Sequence, residues 1–197
     1  MRKLLLISVG ILLISCNNKK KPGDITAKNK EGGTVTINTA EAKKQAEEMK
    51  SRVEELQKLT PLTIEELKTL IPVQILNANA SDVEAMKMGG LANFSTAKYK
   101  LTDSSNIKLT IFDCAGTMGA GYYNTNFYSM MNFEQDNDRE YTKTVLFKGN
   151  NAIENCKKNR NECSFTYFSG DRFLVVLNGD NISMDTLKDI AKELNIK

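Results

Sequence analysis

Five consecutive apolar residues, Phe173-Leu174-Val175-Val176-Leu177, place the strongest constraint on what this chain can fold into. Successive side chains of a strand point to opposite faces, so such a run needs apolar cover on both sides. It reads as the central, doubly covered strand of a sheet, spanning Arg172 to Asn178. Ser169-Gly170-Asp171 forms a tight turn before it, and Cys163 to Phe168 is the strand leading into that turn. Tyr141 to Lys148 is a further strand, and the shorter Ala152 to Cys156 pairs back across a polar turn. Upstream, Leu91 to Leu101 carries a partial two-residue alternation. Asn106 to Cys114 repeats it more strongly, with Ile107, Leu109 and Ile111 on one face and Lys108, Thr110 and Phe112 on the other. Asp103-Ser104-Ser105-Asn106 supplies the turn, so these two segments read as an antiparallel hairpin.

Helical periods flank and interrupt the strands. From Asn38 to Leu59, Ala42, Ala46, Met49, Val53 and Leu56 recur at alternating four- and three-residue steps and form one narrow apolar stripe. Thr39 suits its start and Thr60-Pro61 its end. Thr63-Ile64-Glu65-Glu66 is a capping box opening a short helix to about Leu70. Gly116 to Gly121 reads as a loop, Tyr122 to Phe133 as a helix, and Glu134 to Glu140 as a charged loop. Ser183 caps a last helix, Met184 to Asn195, whose Met184, Leu187, Ile190, Ala191 and Leu194 form a stripe. Strands in runs indicate an α+β fold with an antiparallel sheet. The expected architecture is about five to six strands packed by helices 122–133 and 184–195 on one face. A helical segment over 37–71 precedes this 72–197 domain and is expected either to sit loosely on it or to stand off as a stalk.

The amino terminus is of another kind. Met1-Arg2-Lys3 is followed by an almost wholly apolar run from Leu4 to Ile14. That is shorter than the roughly 20 residues a membrane-spanning helix needs, and it fits the apolar region of a signal peptide. The run closes in Leu13-Ile14-Ser15-Cys16, which resembles the lipobox of bacterial lipoproteins. The resemblance implies lipid transfer to the Cys16 thiol, removal of the signal peptide 1–15, palmitate or a similar acyl chain on the new amino terminus, and residence in the cell envelope, bound to a membrane by that lipid. Asn17 in place of aspartate favours the outer membrane of a Gram-negative cell. Residues 16–36 are polar and Lys-rich and read as a lipidated, disordered tether. The remaining layout resembles small envelope lipoproteins of unassigned function.

Charge sharpens this. The formal +3 of the whole chain is concentrated at the start, where residues 1–32 hold seven Lys/Arg and two acids. From Gly33 onward 20 basic residues face 22 acidic ones, a net −2, which argues against nucleic acid as a partner. The chain has no histidine, so histidine triads, histidine bases and histidine metal sites are excluded. No cofactor or metal is expected.

Of four cysteines, Cys16 is assigned to lipid. Cys156 and Cys163 flank the polar turn from Lys157 to Glu162, and an exported chain meets an oxidising compartment in which they can close a disulfide. Cys114 remains, as a small buried hydrophobe or, much less in keeping with the absence of a base, a nucleophile beside Asp113. The segment Asp113 to Gly121 is glycine-rich and joins a strand to a helix. Its glycines either permit close packing or cradle an anion, though the spacing matches no phosphate-binding motif. Asp136, Asp138 and Glu140 alternate as in a calcium loop but lack its sixth-position glycine and twelfth-position glutamate, and read as a solvated loop. The helix after the glycines holds Tyr123, Phe127 and Met131 on one face. It is either wedged in the core or, with Gly116 and Gly119, lines a surface that accepts an apolar ligand or an envelope protein. Function therefore reads as contact rather than catalysis, with self-association through the 38–59 helix as the alternative.

Overall fold

The computed structural model describes residues 24–28, 34–87, 89, 92–130 and 133–196. Fifteen elements follow in order: β1 (Asp24–Lys28), β2 (Thr34–Asn38), α1 (Thr39–Lys58), α2 (Ile64–Thr69), β3 (Gln74–Ile75), β4 (Ala78–Met86), β5 (Asn93–Lys100), β6 (Asn106–Asp113), α3 (Gly116–Ser129), β7 (Glu134–Asp136), β8 (Glu140–Phe147), β9 (Asn150–Lys157), β10 (Glu162–Ser169), β11 (Phe173–Asp180) and α4 (Met184–Glu193). The fold is mixed α+β, as the runs of strands imply. The sheet has nine antiparallel strands rather than five to six, in the order β3-β4-β5-β6-β11-β10-β9-β8-β7. The chain lays down β3 to β6, crosses by α3 to the far edge, and returns through β7 to β10 until β11 docks on β6. Phe173–Leu177 thus lies in the middle strand of the nine.

The additional strands are those with little apolar signal. β4 is half-edge and mostly exposed, with Asp82 in a left-handed turn where its pairing to β5 shifts register. Its solvated face removes the alternation on which sequence detection depends. Likewise Glu134 to Asp136, expected as part of a charged loop, pairs with Tyr141 to Lys143. Asn137 Oδ1 closes that hairpin by accepting from the backbone N–H groups of Arg139 and Glu140. Its strands are written in Glu, Gln and Asp because both faces of β7 meet water.

The expectation that helices 122–133 and 184–195 share a face is wrong. Ile107, Leu109, Ile111, Phe165, Tyr167, Phe173, Val175 and Leu177 face α4 and bury its Met184, Leu187, Ile190 and Ala191. Leu174 and Phe168 face the other way, into a second core with Met49 and Leu56 of α1 and Ala120 and Tyr123 of α3. A strand apolar on both sides needs helices on both sides, so α3 and α4 divide the two faces between them. At about 25 cal/mol per Å², neither set of apolar side chains can be left open to water.

Helix α1 is no stalk. Met49 and Leu56 are buried in the core shared with α3, and Val53 packs half-buried against it. The expected tether is partly structured too, since Asp24–Lys28 and Thr34–Asn38 form a separate two-stranded antiparallel sheet. The capping box is present: Thr63 Oγ1 accepts from Glu66 N–H, and Glu66 Oε2 accepts from Thr63 N–H. The C-terminal end of α4 is tied down from a distance. Lys148 Nζ donates to the carbonyls of Ala191 and Leu194, and Ser169 Oγ donates to that of Ile196.

Candidate functional site

The glycine-rich segment belongs to helix α3 rather than to a loop. Gly116, with φ +75°, opens α3 tightly under Pro61: a side chain there would come within 2.8 Å of the proline ring. Gly119 lies on the backbone of the strand end, where an added Cβ would stand 2.4 Å from the carbonyl carbon of Cys114. These glycines are required by close packing.

Cys114 is wholly buried, and burial pushes its thiol up to about 12, with the Asp113 carboxylate adding to the shift. A thiolate nucleophile needs the opposite environment. Cys156 and Cys163 lie directly opposite each other on β9 and β10 with their sulfurs at bonding distance. Cys16 and Met131 lie outside the described residues. Phe127 lies in α3, with its side chain outside the description.

Tyr123 is described, and it is in both of the places considered for it. Its ring is buried against Phe168, centroid to centroid 4.4 Å, and burial pushes its phenol up to about 12. The same two rings, with Met49, form the apolar floor of a cleft of about 350 Å³ between α1 and the β10–β11 turn. Glu48, Ser51, Arg52 and Glu55 project from α1 at helical steps to form one wall. Gly170 and Asp171 of the turn, with Asn150, form the other. Arg52 spans it: its Nη1 donates to Glu55 Oε2 at 2.9 Å, and its Nη2 pairs with Asp171 Oδ1 at 2.8 Å. Met49, Tyr123 and Phe168 are themselves largely buried, so most of the cleft's exposed lining comes from the charged and polar groups of α1 and the turn.

A second hollow, of about 380 Å³, lies along the β7–β8 edge and is lined by Glu134, Gln135, Asp136, Tyr141 and Lys143. Asp136 is engaged by Lys158 Nζ. No group of three or more carboxylate or cysteine ligands suited to a metal occurs among the described residues.

Two charged networks escaped sequence reasoning. Asp113, fully buried, accepts from Arg172 Nε at 2.7 Å and Nη2 at 3.0 Å, and from the N–H groups of Leu62 and Ala115. Glu154, also buried, pairs with Lys188 at 2.7 Å and Lys143 at 3.3 Å. Both were detectable in principle. Asp113 continues the inward period of Ile107, Leu109 and Ile111, and Glu154 sits between inward Ala152 and Cys156. An acid on the buried phase of a strand announces a buried partner. These hydrogen bonds are the chief cause raising Arg172 and Lys188 above their ordinary values. The networks tie elements together, and Lys143 of the second also lines the hollow along the β7–β8 edge. No protein-family model, no curated protein and no solved structure matches this chain.

Proposed function

We infer that this is a lipid-anchored lipoprotein of the bacterial cell envelope, processed at Cys16 and favouring the outer membrane, whose folded domain is non-enzymatic and binds a small apolar ligand or a partner's apolar side chain. The lipobox residues Leu13 to Cys16 support the anchor. The cleft floored by Tyr123, Phe168 and Met49 carries the binding reading, because it is where apolar rings sit at the bottom of an accessible depression. Arg52 and Asp171 cross its mouth and offer polar contacts at the rim.

The anchor is tested by feeding cells an alkyne-tagged palmitate. Label on the wild-type chain and none on Cys16→Ser is expected; an unlabelled wild type overturns it. The cleft is tested with Nile red, a neutral apolar dye. Saturable binding that is lost in Ser51→Trp, at an unchanged melting temperature, is expected. Non-saturable binding, or equal binding by the filled variant, removes the cleft from consideration.

A further inference from the structure

The cleft between α1 and the β10–β11 turn shows less of its floor than an apolar guest needs. Met49 and Phe168 are each 6% exposed and Tyr123 9%. A guest resting in the cleft as it stands meets the charged and polar groups of the walls and only the margins of the rings. Apolar association scales with the apolar area taken out of water, so such a guest gains little there. The element covering the rings is α1, and moving it is what enlarges the apolar floor.

Helix α1 is held unequally along its length. Its C-terminal end runs into Thr60-Pro61-Leu62, and all three residues are fixed. The Thr60 carbonyl accepts from Arg172 Nη2 at 3.0 Å, Leu62 N–H donates to buried Asp113 Oδ2 at 2.7 Å, and the Pro61 ring packs over Gly116 at the start of α3. Leu56, just before this junction, is fully buried. Toward the other end the hold weakens. Val53 is half-buried, and among the described side chains that precede Met49 none is buried. The tie across the cleft is the Arg52–Asp171 pair, whose two side chains both meet water. Exposed ion pairs of this kind shift an equilibrium by only about 1.5–5-fold. The β1–β2 sheet, joined to α1 at Thr39, pairs with no strand of the nine-stranded sheet and so can travel with the helix.

A rigid helix pinned at one end moves in proportion to distance from the pin. At about 1.5 Å per residue, Met49 stands roughly 16 Å from Thr60 and Leu56 roughly 6 Å. A swing that lifts Met49 by about 4 Å lifts Leu56 by only about 1.5 Å. It uncovers Tyr123 and Phe168 and leaves Leu56 seated. We propose that α1 is a hinged lid, pivoting at Thr60–Leu62 and latched by Arg52 and Asp171, which admits an apolar guest onto Tyr123 and Phe168 when the latch opens. This rests on the cleft reading above and adds to it how the site is gated.

The test uses the full chain with Cys16→Ser, so that no acyl chain competes for dye. Met49→Cys and Leu56→Cys are each made with and without Asp171→Ala, and their alkylation by N-ethylmaleimide is timed. Asp171→Ala is expected to speed labelling of Met49→Cys by about 1.5–5-fold and to leave Leu56→Cys unchanged. Without either cysteine, Asp171→Ala is expected to tighten saturable Nile red binding by the same factor, because apparent affinity scales with the open population. Tying the helix down, in Arg52→Cys with Asp171→Cys joined by a short bis-maleimide, is expected to abolish that binding, while the same pair capped with N-ethylmaleimide retains it. Equal acceleration at both positions means that the domain opens by unfolding, and overturns the hinge. A tied protein that binds as the capped one does overturns the gating and leaves the cleft reading intact. Weaker binding by Asp171→Ala does the same, since Asp171 is then a contact of the guest rather than a latch. An absence of saturable binding in every protein overturns the cleft reading, and the gating falls with it.

Discussion

Asp113 on β6 and Arg172 at the head of β11 form a two-point ion pair, Nε to Oδ1 at 2.7 Å and Nη2 to Oδ2 at 3.0 Å, at the junction of the two meanders. The same guanidinium donates to the carbonyl of Thr60, and the same carboxylate accepts from Leu62 N–H. One pair therefore fixes the centre of the sheet and the connection between α1 and α2. Removing one partner of a buried pair leaves the other uncompensated, so Asp113→Ala is expected to cost about 3–5 kcal/mol. Replacing both, in Asp113→Leu with Arg172→Leu, is expected to cost less than the sum of the single changes. Urea unfolding of the four proteins of this cycle measures the coupling; additive losses would show that the pair is not acting as a unit.

Two glycines of α3 predict opposite signs. Gly121 has open space where a Cβ would go, so Gly121→Ala is expected to stabilise by about 0.5–1 kcal/mol through helix propensity. Gly119→Ala would drive a methyl group into the Cys114 backbone, which has no flexible side chain to yield. A loss of about 1–3 kcal/mol is expected there. Thermal melting of both variants tests this, and a stabilised Gly119→Ala would contradict the close approach of α3 to the strand end.

The disulfide closes the eight residues from Cys156 to Cys163. The chain-entropy argument gives a stabilisation of about 2–3 kcal/mol for a loop of this length. Because β9 and β10 are already aligned by their ladder, the Cys156→Ala, Cys163→Ala protein is expected to fold with the same circular dichroism and a lower urea midpoint. Loss of the folded signal altogether would mean that the link is needed to form the hairpin.

Alkaline pH reports on Cys114. Its pKa is raised from 9.0 to about 12 in the folded chain, mainly by burial. Between those values the unfolded thiol loses its proton while the folded one keeps it, so the unfolded state is favoured as pH rises. Stability is expected to be flat up to about pH 8.5 and to fall above about pH 9, with a slope approaching 1.4 kcal/mol per pH unit. Tyr99 and Tyr123, raised from 10.0 to about 12 by burial, add to the fall above pH 10. In Cys114→Ala the onset should move up by about one unit. The native thiol should also resist alkylation at pH 8; rapid labelling without unfolding would contradict its burial.

Local regularity made much of the fold legible. The alternation in Asn106–Asp113, the apolar run of β11 and the stripe of α4 each repeat within a few residues, and the structure has an element at each. Caps were equally readable, because Thr63 and Glu66 satisfy each other across three residues. β4 and β7 were not, since a strand with a solvated face has no apolar period. The cleft was half legible. The aromatic content of α3 pointed to Tyr123, but its companions Phe168, Met49, Arg52 and Asp171 come from three other parts of the chain.

By itself, then, the sequence determined the helical character of α1, α2 and α4 and the apolar strands, that Phe173–Leu177 needs cover on both faces, and that the cysteines of the 156–163 turn can meet. Those properties follow from side-chain spacing along a single element. Only the tertiary structure decided the strand order, the placement of α3 and α4 on opposite faces, the docking of α1 over Tyr123, and the pairing of Asp113 with Arg172 across 59 residues. Periodicity states that a face must be buried; it does not state against what. That choice is made by the non-local competition among apolar faces for cover and among buried charges for partners.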